Sequence, residues 1–142
     1  IKRSKFNFVL ENLKFKKKRK KKDIDLLIYN RDHNNKSLLF NYELIENLSN
    51  LNLKIFVVGD KLAINKVINL GYIDGKRLNI LQSRSKYSLC SSENIYSLFV
   101  IECITNHVKI LINKNNMKKV KFFKKFFIPL SKSNLFLRKI RF

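Results

Sequence analysis

Short apolar runs recur along this chain, each followed by a stretch with helical spacing. That alternation restricts the available folds more than any other feature. Leu26-Leu27-Ile28-Tyr29 reads as a buried strand, and Leu53 to Val58 as a second that closes on Gly59-Asp60. Ile68 to Tyr72 reads as a third, Lys86 to Cys90 as a fourth and Val108 to Ile112 as a fifth. Between them, Ser37 is placed to cap a helix to about Ser49, with Leu38, Leu39, Tyr42, Ile45 and Leu48 on one face. Lys61 to about Val67 reads as a short helix, Asp74 as the cap of a helix to about Arg84, and Tyr96 to about Thr105 as another helix. Strands that are apolar on both faces need cover on both sides, which parallel βαβ units supply. The expectation is an α/β, Rossmann-like parallel sheet of about five strands with helices on both faces.

The length of 142 residues fits one domain, and a hydrophobic share of 45% supplies a core, which excludes a disordered polycation. The net charge is +21. Two readings of it stand side by side. One is attraction to polyanions such as nucleic acid, acidic lipid headgroups or nucleotide phosphates. The other is compositional drift, since Lys, Asn, Ile and Phe are abundant together while Gly and Pro are scarce and Trp is absent. Cys90 and Cys103 lie in apolar runs without metal-ligand spacing, so they read as buried free thiols of a cytoplasmic protein. No apolar run approaches the roughly 20 residues of a membrane span, and no signal-peptide pattern is present. The sequence opens on Ile1 rather than Met, which reads as a chain whose N-terminus lies further upstream.

The flanks differ from the centre. Residues 1–22 form a basic lead-in, with Phe6, Val9, Leu10 and Leu13 at helical spacing, ending in seven consecutive cations from Lys16 to Lys22. Such a block is normally solvated and mobile, and here it marks a linker. Residues 23–113 carry the strand and helix alternation. Residues 114–142 form a basic amphipathic tail in which Met117 to Phe127 mixes Lys with Val and Phe until Pro129. Either it packs on the domain as a helix or it lies on an anionic membrane surface.

Ligands of open parallel sheets bind beyond the carboxyl ends of the strands, so the loops there are where chemistry belongs. After the first strand, Arg31 and Lys36 bracket a loop. Two cations there suit a diphosphate, Arg as a planar fork and Lys as a point charge, unless the loop is simply solvated. After the fourth strand, Ser91 to Ser97 lead directly into a helix whose free N–H groups favour an anion. Glu102 lies on an otherwise apolar stretch of that helix. It needs a partner or a ligand, such as a ribose diol, or else faces solvent. His33 and His107 pair with no nucleophile or metal cluster, and Asp60 reads as a cap for the helix after it.

Taken in order, these features resemble the C-terminal, donor-binding domain of retaining group-1 glycosyltransferases of the GT-B fold. The resemblance spans Asp25 to Ile112. It rests on the spacing of Arg31 and Lys36, on Val58-Gly59-Asp60, on Leu70-Gly71-Tyr72-Ile73, on Ser83-Arg84-Ser85-Lys86, and on Ser91 to Cys103 against the family's Pro-Ser-x-x-Glu-Gly-Phe-Gly-Leu-x-x-Leu-Glu-Ala. It implies one half of a GT-B fold and a hexosyltransferase-type enzyme acting on a UDP-, GDP- or ADP-sugar. By the same resemblance Arg31 and Lys36 bind the diphosphate and carry the catalysis, Tyr72 and Ile73 sit against the base, Ser97 and Leu98 face the phosphates, and Glu102 holds the ribose. The family's two Glu residues are eight positions apart, which makes Asn94 the sugar contact, or Glu93 if the loop has shifted. The family's glycines are replaced here by Asn30, Ile95 and Ser97.

The implied partners are a nucleotide-sugar donor, a glycan or lipid-linked envelope acceptor, an N-terminal acceptor domain lying outside this chain, and an anionic membrane on its inner, cytoplasmic face. The implied chemistry uses no metal and no cofactor, since the cations supply the charge, and without the acceptor domain no turnover is expected. Two other readings compete. One is a basic, ribosome-associated type of nucleic-acid-binding protein without enzymatic activity, motivated by Lys16 to Lys22. The other is a degenerate glycosyltransferase-like scaffold, which the replaced glycines allow.

Overall fold

The computed structural model describes residues 13–19, 21–32, 42–89 and 95–130. These form a six-stranded sheet in which every pairing is parallel. The strands are β1 (Ile24–Asn30), β2 (Ile55–Gly59), β3 (Val67–Gly71), β4 (Ser85–Leu89), β5 (Lys109–Asn113) and β6 (Phe127–Leu130), in the spatial order β3-β2-β1-β4-β5-β6. Helix α1 (Tyr42–Ser49) joins β1 to β2, α2 (Gly75–Arg84) joins β3 to β4, and α3 (Leu98–Thr105) joins β4 to β5.

The apolar runs form central strands because both their faces are covered. On one face Leu26, Ile28, Ile55 and Val57 pack with Ile45 and Leu48 of α1. On the other Leu27, Val58, Ile110 and Ile112 pack with Leu81 of α2 and with Phe99, Val100, Cys103 and Ile104 of α3. Helices therefore flank the sheet on both sides, as the doubly apolar strands require. Asp74 caps α2 by accepting the amide N–H of Arg77, as its position in the sequence predicts.

Two expectations are corrected and one is extended. Residues 61–67 are not helical. The amide of Asn69 pairs with the backbone of Leu62 in both directions, 2.9 Å to its N–H and 3.1 Å to its carbonyl, which ties the segment to β3 in a non-helical path. Leu62 and Ile64, two residues apart, then both reach the α1-side core. Phe127–Leu130, expected as part of the tail, pairs with β5 and adds a sixth strand to the five read from the sequence. Pro129 is tolerated there since β6 is an edge strand. Finally, Met117 to Phe127 is not an α-helix. It contains two short 3₁₀ segments, Lys114–Lys119 and Lys124–Phe126, separated by the left-handed Phe123 at φ 54°. Tyr96 pins this stretch, its hydroxyl accepting the amides of Lys121 and Phe122 and donating to the Phe122 carbonyl.

The described part of the basic lead-in is anchored by Lys22 and by the backbone of Lys16, while the side chains at 14–19 and 21 stay exposed. The Lys22 ammonium donates to the carbonyls of Ser85 (2.8 Å), Asn106 (2.9 Å) and His107 (2.9 Å). The backbone of Lys16 bonds Thr105 through its N–H and the His107 ring through its carbonyl. The carbonyls at the C-terminus of α3 carry partial negative charge and lack partners within the helix, and cations are what such an end favours.

Candidate functional site

The strand order reverses between β1 and β4, so the chain leaves their carboxyl ends in opposite directions and opens a crevice there. The end of β1 is Asn30, which is buried. Its carbonyl accepts the Asp60 N–H at 2.9 Å, and its side-chain amide donates to the Asp60 carbonyl at 3.1 Å. By the resemblance Asn30 stands where the family has a glycine. Its amide instead clamps the end of β1 to the end of β2. Gly59 makes that approach possible, with φ at +91° in a region that L side chains avoid.

The carboxylate of Asp60 is the hub of the site. One oxygen accepts the Asp32 backbone N–H at 2.6 Å and the other accepts the Tyr72 hydroxyl at 2.7 Å. One side chain therefore joins the segments that follow β1, β2 and β3. The Asp32 amide and the Tyr72 hydroxyl lower the pKa of Asp60, and the Arg31 charge does so too. The same bond raises the pKa of Tyr72, because ionisation would cost the hydrogen bond and set two anions together. At neutral pH the pair is a carboxylate accepting from an intact phenol. Asp60 was expected to cap a following helix, and no helix follows it. A Gly-Asp at a strand end, with Tyr one residue past the next strand, was the signal available for this hub.

Arg31 is exposed beside this hub, close enough for its charge to act on both Asp60 and Tyr72. The Tyr72 ring is 68% exposed, a flat apolar face on a tethered side chain. Ile73 turns inward and packs against the core on the α2 and α3 side. The start of α3 is drawn to the same place, because Phe99 stacks on Tyr29 of β1 with centroids 5.2 Å apart. Ser97 caps that helix by accepting the Val100 amide at 3.2 Å, and Leu98 beside it is 73% exposed. Glu102 has a partner within the protein: the amide of Gln82 on α2 donates to one of its carboxylate oxygens at 3.2 Å. The structure thus gathers Arg31, Tyr72 and the start of α3 at one end of the sheet. Lys36, Glu93 and Asn94, together with His33 and Cys90, lie outside the described residues.

No group of His, Cys, Asp and Glu suited to a metal ion occurs among the described residues. Nor, among them, is any helix long and apolar enough to cross a membrane. Cys103 is a buried free thiol, with its pKa pushed up to about 12 by burial.

No protein family and no curated protein matches the sequence. Solved structures do match the fold. A chain of the GtfA/B complex superposes with a TM-score of 0.55 at 12% identity, over 84% of this chain and 27% of that one. The E. coli heptosyltransferase WaaC, solved with ADP, gives 0.48 at 8% identity, over 65% and 33%. The dodecameric iron-containing heptosyltransferase TibC, solved with ADP-D-beta-D-heptose, gives 0.49 at 9% identity, over 80% and 33%. The chain spans about a third or less of the length of each. At this identity the likeness is one of fold: an α/β, Rossmann-like parallel sheet.

Proposed function

We propose that this chain binds the nucleoside-diphosphate sugar of a glycosyltransferase and forms the donor half of that enzyme. The supporting observation is the Asp60 hub, which brings the segment carrying Arg31, in no ion pair among the described residues, to the exposed Tyr72 at the carboxyl end of the sheet. A cation beside an aromatic face suits a ligand with phosphates at one end and a base at the other. In this reading Arg31 and Lys36 neutralise the charge that develops on the diphosphate as the bond between it and the sugar breaks. That role calls for no metal. The N-terminus of α3, at Ser97 and Leu98, adds its dipole. Glu102, one oxygen held by Gln82, accepts from the ribose hydroxyls through the other, and Asn94 or Glu93 meets the sugar. The acceptor, a glycan or lipid-linked molecule, is supplied by a partner domain, with the enzyme peripheral on the cytoplasmic side of a membrane.

The test is thermal unfolding with UDP, GDP or ADP. A ligand that binds only the folded state raises the midpoint. Protection by at least one of them, abolished in the double variant Arg31→Ala, Lys36→Ala, supports the proposal. Identical melting with and without all three sinks it.

A further inference from the structure

The strongest unexplained feature lies at the other end of the sheet from the Asp60 hub. The lead-in crosses the amino ends of the strands, held by Lys22 on three carbonyls and by the Lys16 backbone on Thr105 and His107. Being anchored at both ends, it presents Lys14, Lys17, Lys18, Arg19 and Lys21 outward. Among the described residues none of these five joins an ion pair. The carboxylates near them are occupied: Asp23 binds Arg84 and Lys54, and Asp25 binds Lys86. Phe15 stacks on Phe126 and lies against His107, yet stays 42% exposed. Lys109 and Lys125 lie over the Phe126 ring. The result is a row of exposed cations, none in an ion pair among the described residues, beside the partly exposed rings of Phe15 and His107.

We infer that this face, built on Lys14, Lys17, Lys18, Arg19 and Lys21 with Phe15 and His107, is a docking surface for single-stranded nucleic acid. Exposed cations on a backbone already held in place suit a run of phosphates, because the strand need not order the segment itself, only the side chains, as it binds. An accessible ring pair offers a stacking face to an unpaired base of any identity. An anionic bilayer fits less well. Among the described residues of the segment every exposed position but Phe15 is a cation, and Phe15 lies stacked on Phe126, which suits a base laid against its open face better than insertion into acyl chains. The inference is independent of the donor-site proposal.

The test is fluorescence anisotropy of the full chain with a labelled oligouridylate, titrated across about 0.05 to 0.2 M salt. One variant carries Lys17→Gln, Lys18→Gln and Arg19→Gln. A control carries Lys114→Gln, Lys118→Gln and Lys119→Gln, an equal loss of charge from exposed positions after β5, at the far end of the sheet. Removing three phosphate contacts lowers the slope of log affinity against log salt by about 2, and the control leaves the slope in place. Phe15→Leu, which keeps an apolar packing group, weakens binding roughly tenfold. Equal losses in both triple variants would mean that net charge alone attracts the RNA, and would overturn the inference. So would the absence of binding near physiological salt. Tighter binding to phosphatidylserine vesicles than to RNA at equal ionic strength would reassign the surface to a membrane.

Discussion

The carbonyl oxygen of Asn30 occupies the space that a side chain on Gly59 would need, since a Cβ built there lies 2.2 Å from it. The obstacle is backbone, held in the parallel ladder between β1 and β2, so it cannot swing aside. Gly59→Ala combines this clash with a strained φ and is expected to destabilise the fold by about 2–4 kcal/mol. Urea denaturation measures it. A loss below half a kilocalorie would mean that the ends of β1 and β2 are not joined as described.

Much of the sheet was legible because its causes are local. Leu26 to Tyr29 and Val108 to Ile112 announce doubly buried strands, and Asp74 announces its cap. Strand β6 was not legible, because Phe127–Leu130 contains a proline and follows a Lys-rich stretch; only its place at the sheet edge makes it acceptable. The missing helix at 61–67 depends on Asn69, seven residues from Leu62, and no helical pattern registers a side-chain amide bonding the backbone at that distance. In the candidate site, Arg31 and Tyr72 were legible as residue types at strand ends. Asp60, which connects them, was misread as a cap because its partners come from two other loops. The docking of Lys22 was invisible for a similar reason: its acceptors are carbonyls, which carry no sequence signature.

Lys22 is the next point of test. Its burial depresses its pKa from 10.5 to about 8. The folded protein therefore gives up this proton more readily than the unfolded chain does. Between about pH 8 and 10.5 the unfolded state binds more protons, so the contribution of this group to stability rises with pH. Lys22→Met leaves three carbonyl acceptors without their donor and is expected to cost about 1–3 kcal/mol at neutral pH. The stability gap between wild type and variant should widen from pH 8 to pH 10. A gap that narrows would contradict the assigned burial.

Cys103 acts with the opposite sign. Its thiol is held neutral by burial, from an ordinary value of 9.0 up to about 12. In that window the unfolded chain has lost the proton and the folded protein has kept it, so stability falls as pH rises from 9 to 12. Cys103→Ala should lose about 1–2 kcal/mol at neutral pH through poorer packing, and should then decline less steeply than wild type above pH 9. Parallel curves for the two proteins would argue that the thiol reaches solvent.

Tyr72 tests the candidate site most directly, because its two functions separate chemically. Its ring offers the stacking face and its hydroxyl holds that ring to Asp60. Tyr72→Ala removes both and, for a base stacked on the ring, costs about 1–3 kcal/mol of nucleotide affinity. Tyr72→Phe keeps the ring but frees it, so binding must restore an order that Asp60 now supplies. That costs about 0.5–1.5 kcal/mol, a loss of roughly two- to tenfold. Inorganic pyrophosphate, which has no base, should bind wild type and both variants alike through Arg31. Calorimetric titration of a nucleoside diphosphate and of pyrophosphate distinguishes these cases. Equal weakening of both ligands by Tyr72→Ala would mean that Tyr72 supports the loop rather than the base, and would move the base to another part of the crevice.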